Sequence, residues 1–160
     1  MDKATKQSVV AELISLLTDG NAHATFEDAC ADLTPEIWNQ HVPEVPYTIW
    51  QLMEHLRIAQ WDILEFSLGE AHESPEWPAG YWPATDAVAD EQLWLATLDR
   101  IRRDQQRFID FLNAPGTDLL ATVPHGTGQT ILREAFLIAD HAAYHTGEII
   151  LLRRLLHAWQ

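Results

Sequence analysis

The chain has 160 residues, 47% of them hydrophobic, enough to bury a real core and short enough for a single domain over 1–160. Twenty-four acidic residues against 10 Lys and Arg give a formal net charge of -14, which argues against nucleic acid and anionic membranes as partners. No apolar run approaches the ~20 residues of a membrane span, residues 1–6 lack the apolar core of a signal peptide, and the sole cysteine, Cys30, has no intrachain partner, so a cytoplasmic location is expected.

Residues 3–17 place Val9, Val10, Leu13, Ile14, Leu16 and Leu17 at helical spacing, with Gly20 as a stop signal. Thr25-Phe26-Glu27-Asp28 has the form of a capping box with Asp in the Glu position, opening a shorter helix over 26–33. Thr34-Pro35-Glu36 is a further helix start, but Pro43 and Pro46 leave it little room. A long helix is predicted over 48–68, ending near Gly69. Residues 70–87 hold Pro75, Pro78, Gly80 and Pro83 among Trp77, Tyr81 and Trp82, the composition of an ordered aromatic loop rather than a flexible linker. A third long helix is predicted over 87–112, where Trp94, Leu98, Ile101, Phe108 and Leu112 follow three- and four-residue steps before Asn113, Pro115 and Gly116. Past Pro124, Gly126 and Gly128, the last helix runs from Thr130 almost to the end, and residues 119–123 are a candidate short extended piece. The class is all-α: a four-helix bundle with an additional short helix.

Three histidines stand out on these helices. His141 and His145, in Asp140-His141-Ala142-Ala143-Tyr144-His145, are separated by about 40° around the last helix, so both rings share one face. Leu137, Glu148 and Leu152 fall in the same stripe, and Leu52, Ala59, Asp62 and Phe66 share a sector with His55 on the 48–68 helix. Two imidazoles on one helix and a third facing them can hold a divalent ion with coordination positions left open. Taken singly, His55 is more often a hydrogen-bonded core or boundary histidine than a ligand, and a bare His-x-x-x-His pair is common by chance. Asp62 and Glu148 are candidate acceptors for imidazole N–H groups or candidate general bases, against a solvated or ion-paired role. Tyr144 is a candidate donor to substrate, or a core tyrosine with a bonded tip.

The remaining signals are weaker. His23 suits a capping or surface role, and His41, His72, His125 and His157 fall in loops or at helix ends. Arg100, Arg103 and Arg107 share a helix face with Asp99, Asp104 and Asp110 nearby, the pattern of a solvated, ion-paired surface. The Trp77, Tyr81 and Trp82 loop suits a lid over the site, a contact with a second chain, or simple anchoring.

Two segments carry a resemblance to a known family. Trp50-Gln51-Leu52-Met53-Glu54-His55-Leu56 and Ala139-Asp140-His141-Ala142-Ala143-Tyr144-His145-Thr146-Gly147-Glu148-Ile149 resemble the DinB-like superfamily, metal-binding four-helix proteins related to bacillithiol and mycothiol transferases. The resemblance covers most of the chain. It implies an up-up-down-down bundle with His55, His141 and His145 as ligands of one divalent metal, and it points to dimers. His23-Ala24-Thr25-Phe26-Glu27-Asp28 and Tyr81-Trp82-Pro83 are similar to one branch of that superfamily, without identifying a substrate.

Three neutral imidazoles leave an ion its full charge, so it lowers the pKa of a bound water or thiol. Nickel, zinc, manganese and iron all suit imidazole. The expectation is a metal-dependent enzyme acting on a small-molecule substrate, with a low-molecular-weight thiol as a possible cofactor: a hydrolase or thiol S-transferase. A non-catalytic metal or small-ligand binding bundle is the alternative. A homodimer is expected too, because Ile149, Ile150, Leu151, Leu152, Leu155, Leu156 and Trp159 surround most of the last helix, and such a helix needs burial on more than one side.

Overall fold

Each long helix opens on a side chain that satisfies one of its free N–H groups. The computed structural model describes residues 1–69 and 72–159. Among these the chain forms α1 (Lys3–Thr18), α2 (Phe26–Cys30), α3 (Pro35–Trp38), α4 (Ile49–Ser67), α5 (Glu91–Asn113) and α6 (Ile131–Leu155), with a 3-10 turn at Ala79–Tyr81. Asp2, Thr48, Asp90 and Thr130 cap the four long helices by accepting from the backbone N–H of Thr5, Gln51, Leu93 and Arg133. Thr25 and Asp28 make the expected reciprocal capping box on α2, and Thr48 and Gln51 make a second one on α4. Gly69, at φ 78, follows the α4 C-cap in the left-handed region, where a Cβ would be strained.

Several expected boundaries move. Helix α2 stops at Cys30 rather than residue 33, because Ala31 turns extended and Asp32 takes φ 57. The third long helix begins at Glu91, not residue 87: Ala89 is buried, and its carbonyl accepts from Trp38 Nε1 and Asn39 Nδ2. Thr34-Pro35 does open a single turn, so two short α-helices accompany the long ones instead of one. Residues 119–123 form no strand; an isolated bridge joins Thr122 to Thr130, and Leu119 and Val123 are buried as apolar plugs. Of the aromatic loop, residues 70 and 71 lie outside the described residues.

Helix α4 packs on both α5 and α6, and α1 packs on the same two; α2 lies on α6, and α3 on α4. The buried apolar residues divide into two clusters. One gathers Trp38, Trp50, Leu52, Met53, Trp94, Ile101, Ile149 and Leu152, with Trp38 and Trp94 stacked at 4.4 Å. The other gathers Val10, Leu13, Leu64, Phe108, Leu112, Leu119, Ile131 and Ile138. Full burial of each such side chain contributes about 1.5–3 kcal/mol. Along α4 the clusters take Ile49–Met53 and then Ile63–Leu64; along α6 they take Ile131–Ile138 and then Ile149–Leu152. His55, His141 and His145 occupy the interval between them in sequence on both helices. The polar residues therefore sit at a seam between two apolar halves.

Candidate metal centre

Helical spacing brings the three imidazoles to the seam. His55 and His145 are buried and His141 half-buried. One ring nitrogen from each of the three lies within 4.8 Å of the others. His141 Nε2 and His145 Nε2 are 3.0 Å apart. The ring of His55 stands edge-on to both, with centroids 5.2 Å from His141 and 4.8 Å from His145.

The outward nitrogens decide which way the lone pairs point. His55 Nδ1 lies 2.9 Å from the Tyr81 carbonyl, which can only accept, so Nδ1 carries the hydrogen. His145 Nδ1 lies 2.7 Å from Glu148 Oε2, with the same consequence. In neutral rings this leaves Nε2 of both as an unprotonated acceptor turned away from those partners. Two facing Nε2 atoms at 3.0 Å repel unless a proton or a cation lies between them. Burial, reinforced by the neighbouring imidazoles, pushes His141 down to about 4; burial also holds His55 below the ordinary histidine range. Both rings are thus neutral at physiological pH, the form in which imidazole ligates metals. Two nitrogens each bound to one ion at about 2.0–2.1 Å lie about 3 Å apart when they subtend roughly a right angle. The donor set therefore fits a divalent cation.

A loop and one carboxylate hold these rings. Trp82 stacks on His55 with centroids 4.0 Å apart and planes 5° off parallel, and Tyr47 stacks on Trp82 at 5.2 Å. The Tyr47 hydroxyl donates to Glu148 Oε1 at 3.1 Å, so Glu148 accepts from Tyr47 and from His145 together. Burial and the Glu148 charge push the Tyr47 phenol up to about 12, which keeps it a donor. Asp62 Oδ2 accepts from the Tyr81 hydroxyl at 2.6 Å, and its Oδ1 lies 2.7 Å from His72 Nε2. Burial, with the hydrogen bond to Asp62, likewise pushes Tyr81 up to about 12. Gln51, having capped α4, sends Nε2 to the carbonyls of Ala84, Thr85 and Ala87 and pins the far end of the same loop.

Of the expected site residues, His55, His141 and His145 come together, and Glu148 sits directly against one of them. Asp62 is buried and doubly bonded, contrary to a solvated role, and contacts Tyr81 and the imidazole of His72 on the loop rather than any of the three converging histidines. Tyr144 is 63% exposed, which removes the reading of a core tyrosine; its ring stands edge-on to His145 at 4.9 Å. The nearby Glu148 carboxylate raises the phenol above its ordinary range. Trp82 and Tyr81 pack at the centre, whereas Trp77 is 71% exposed and touches Tyr81 edge-on. No spacing signal in the sequence points to Tyr47, and His72 reads there only as a loop histidine. The buried Cys30 thiol is pushed far up by desolvation and offers its sulfur only to Met53. His23 is exposed, with Nδ1 2.9 Å from its neighbour's carbonyl. Arg107 pairs with Glu65 and Asp104, and Arg103 with Asp104, so that face is ion-paired as expected. A groove of about 610 Å³ lined by Lys3, Lys6, Leu112 and Leu119 is separate from this cluster: none of the three histidines borders it.

Comparison with known families places these residues in context. A family model described as the DinB superfamily matches residues 10–149, a span that contains all three histidines and Glu148. No curated protein and no solved structure gives a significant match.

Proposed function

We propose, for a chain that belongs to the DinB superfamily of metal-binding proteins, that His55, His141 and His145 hold one divalent cation and that the centre activates water or a thiol. On this reading the protein is a metal-dependent hydrolase or thiol S-transferase acting on a small molecule, with a low-molecular-weight thiol as a possible cofactor. The observation that carries it is the convergence of three imidazoles of which two have Nδ1 committed elsewhere. When bound, the ion supplies Lewis acidity that lowers the pKa of water or thiol beside it. The chain's own residues do the rest. Glu148 fixes the tautomer of His145, and Tyr47 fixes Glu148. Tyr144 presents an exposed hydroxyl on the same helix, suited to donate to a substrate. His141, half-buried, is the most exposed of the three rings. Nickel, zinc, manganese and iron each suit the imidazole set.

The architecture that fits this site is an up-up-down-down four-helix bundle of one domain. In support, α1 and α4 each pack on α5 and α6, the arrangement of a ring in which α1 and α4 sit diagonally. The long segment between α1 and α4, with α2 and α3, then serves as the crossover.

A non-catalytic metal-binding bundle is the second reading, favoured by Trp82 lying flat over His55 and by the burial of His55 and His145. Cobalt-substituted protein separates the two. If a coordination position is open, azide or a small thiol will change the visible cobalt spectrum in a saturable way. A spectrum indifferent to both ligands would support the closed, non-catalytic centre.

A further inference from the structure

Asp62 lies seven residues along α4 from His55, about 10 Å of helix rise, too far for its carboxylate to bond that ring. It nonetheless connects to it. The carboxylate is mostly buried and accepts from two loop side chains, Tyr81 Oη at 2.6 Å and His72 Nε2 at 2.7 Å. Tyr81 then offers its own backbone carbonyl to His55 Nδ1 at 2.9 Å. The next residue, Trp82, lies parallel on the His55 ring. One turn of loop thus grips the imidazole by its edge and its face, and Asp62 holds that turn by the tyrosine hydroxyl.

Building on the metal-centre reading above, we propose that Asp62 is a positioning residue acting through Tyr81, with His72 as its second anchor. It sets the loop so that the Tyr81 carbonyl holds His55 in the Nδ1–H tautomer, with Nε2 turned toward His141 and His145. The two helices then use different devices for one purpose. Glu148 orients His145 by a direct bond three residues away, whereas α4 reaches its ligand through a loop 19 residues downstream of Asp62. A carboxylate at the α4 position equivalent to Glu148 would be residue 58, and isoleucine stands there. A loop carbonyl supplies the acceptor that α4 itself lacks. Charge-assisted bonds to a buried carboxylate suit this task, because they are short and directional and resist exchange with water.

The test reads the tautomer of His55 by nitrogen-15 NMR in metal-free protein, with the signal assigned from His55→Gln, alongside zinc affinity by calorimetry. Tyr81→Phe, which loses a single hydroxyl, and Asp62→Ala should shift His55 from Nδ1–H toward a mixture of tautomers. His145, held by Glu148, should keep its pattern. Zinc affinity should fall about 10–100-fold, the range typical when the partner of a ligand is removed. Glu65→Gln, on the same helix but paired with Arg107, should change neither. An unchanged His55 tautomer in Tyr81→Phe would overturn the proposal, as would an equal disturbance of all three imidazoles, which marks general loosening. Should wild-type protein take up no zinc, the metal-centre reading fails, and the metal-free tautomer still decides whether Asp62 and Tyr81 position His55. Tyr81→Phe decides as well if Asp62→Ala does not fold.

Discussion

His141 and His145 are legible as a pair from their spacing alone, since residues four apart on a helix share a face. Their electrostatics are not, because these follow from burial against other elements. Tyr47 and Glu148 meet across 101 residues of chain, and no local pattern announces that contact. Asp62 and Glu148 are both readable as acceptors for imidazoles, and each meets one, but only Glu148 bonds a ring of the converging trio; Asp62 meets His72 on the loop. The depressed His141 has a thermodynamic consequence. Its folded value of about 4 lies below the ordinary 6.5, so the unfolded chain binds the proton more readily. Stability from this group is complete above about pH 6.5 and is lost as the pH falls toward 4. His55 shifts in the same direction. Metal-free protein is therefore expected to melt at lower temperature at pH 5 than at pH 7, with a smaller difference in His141→Gln. A pH 5 to 7 difference identical in the variant would show that His141 does not titrate as its surroundings dictate.

At the scale of the element, helix existence was readable and helix ends were less so. Periodic apolar residues identified all four long helices, and Gly69 marked the end of α4. The predicted start of the third long helix, residue 87, lies four residues ahead of the observed one, because Asp90 caps α5 and Glu91 opens it. Gln51 illustrates what periodicity hides. It is 3% exposed, completes the α4 capping box, and gives its amide hydrogens to three loop carbonyls. Gln51→Ala leaves the Thr85 and Ala87 carbonyls and the Thr48 N–H without these partners, while the Ala84 carbonyl keeps its bond from the Ala87 N–H. A loss of about 1–3 kcal/mol is expected in denaturant unfolding, the range for unsatisfied buried polar groups. Stability within about 0.5 kcal/mol of wild type, as at an ordinary surface position, would show that water replaces the amide at no cost. Tyr81 and Trp82, which belong to the same loop, show that aromatic residues among prolines signalled order; which of them would touch the site was settled only by folding.

At the scale of the molecule, the last helix carries more apolar surface than one chain covers. Ile149 and Leu152 are buried, whereas Phe136, Leu151 and Leu155 remain 52%, 54% and 51% exposed. This surplus is the basis for expecting a homodimer, with α6 at the interface. Sedimentation equilibrium at micromolar concentration should give twice 18.2 kDa, and Leu151→Glu with Leu155→Glu should lower it to the monomer. A wild-type mass of 18.2 kDa would leave the exposed leucines as an ordinary feature of the surface.

On the proposed reading, three imidazoles at the seam between two apolar halves hold one divalent ion. Metal analysis of protein purified without nickel affinity, and reconstituted with zinc, tests it most directly. Wild-type protein should retain about one ion per chain after desalting, as a three-histidine site requires. The His141→Ala/His145→Ala variant, with helical circular dichroism intact, should retain essentially none. Full metal content in that variant, or none in the wild type, would contradict the claim.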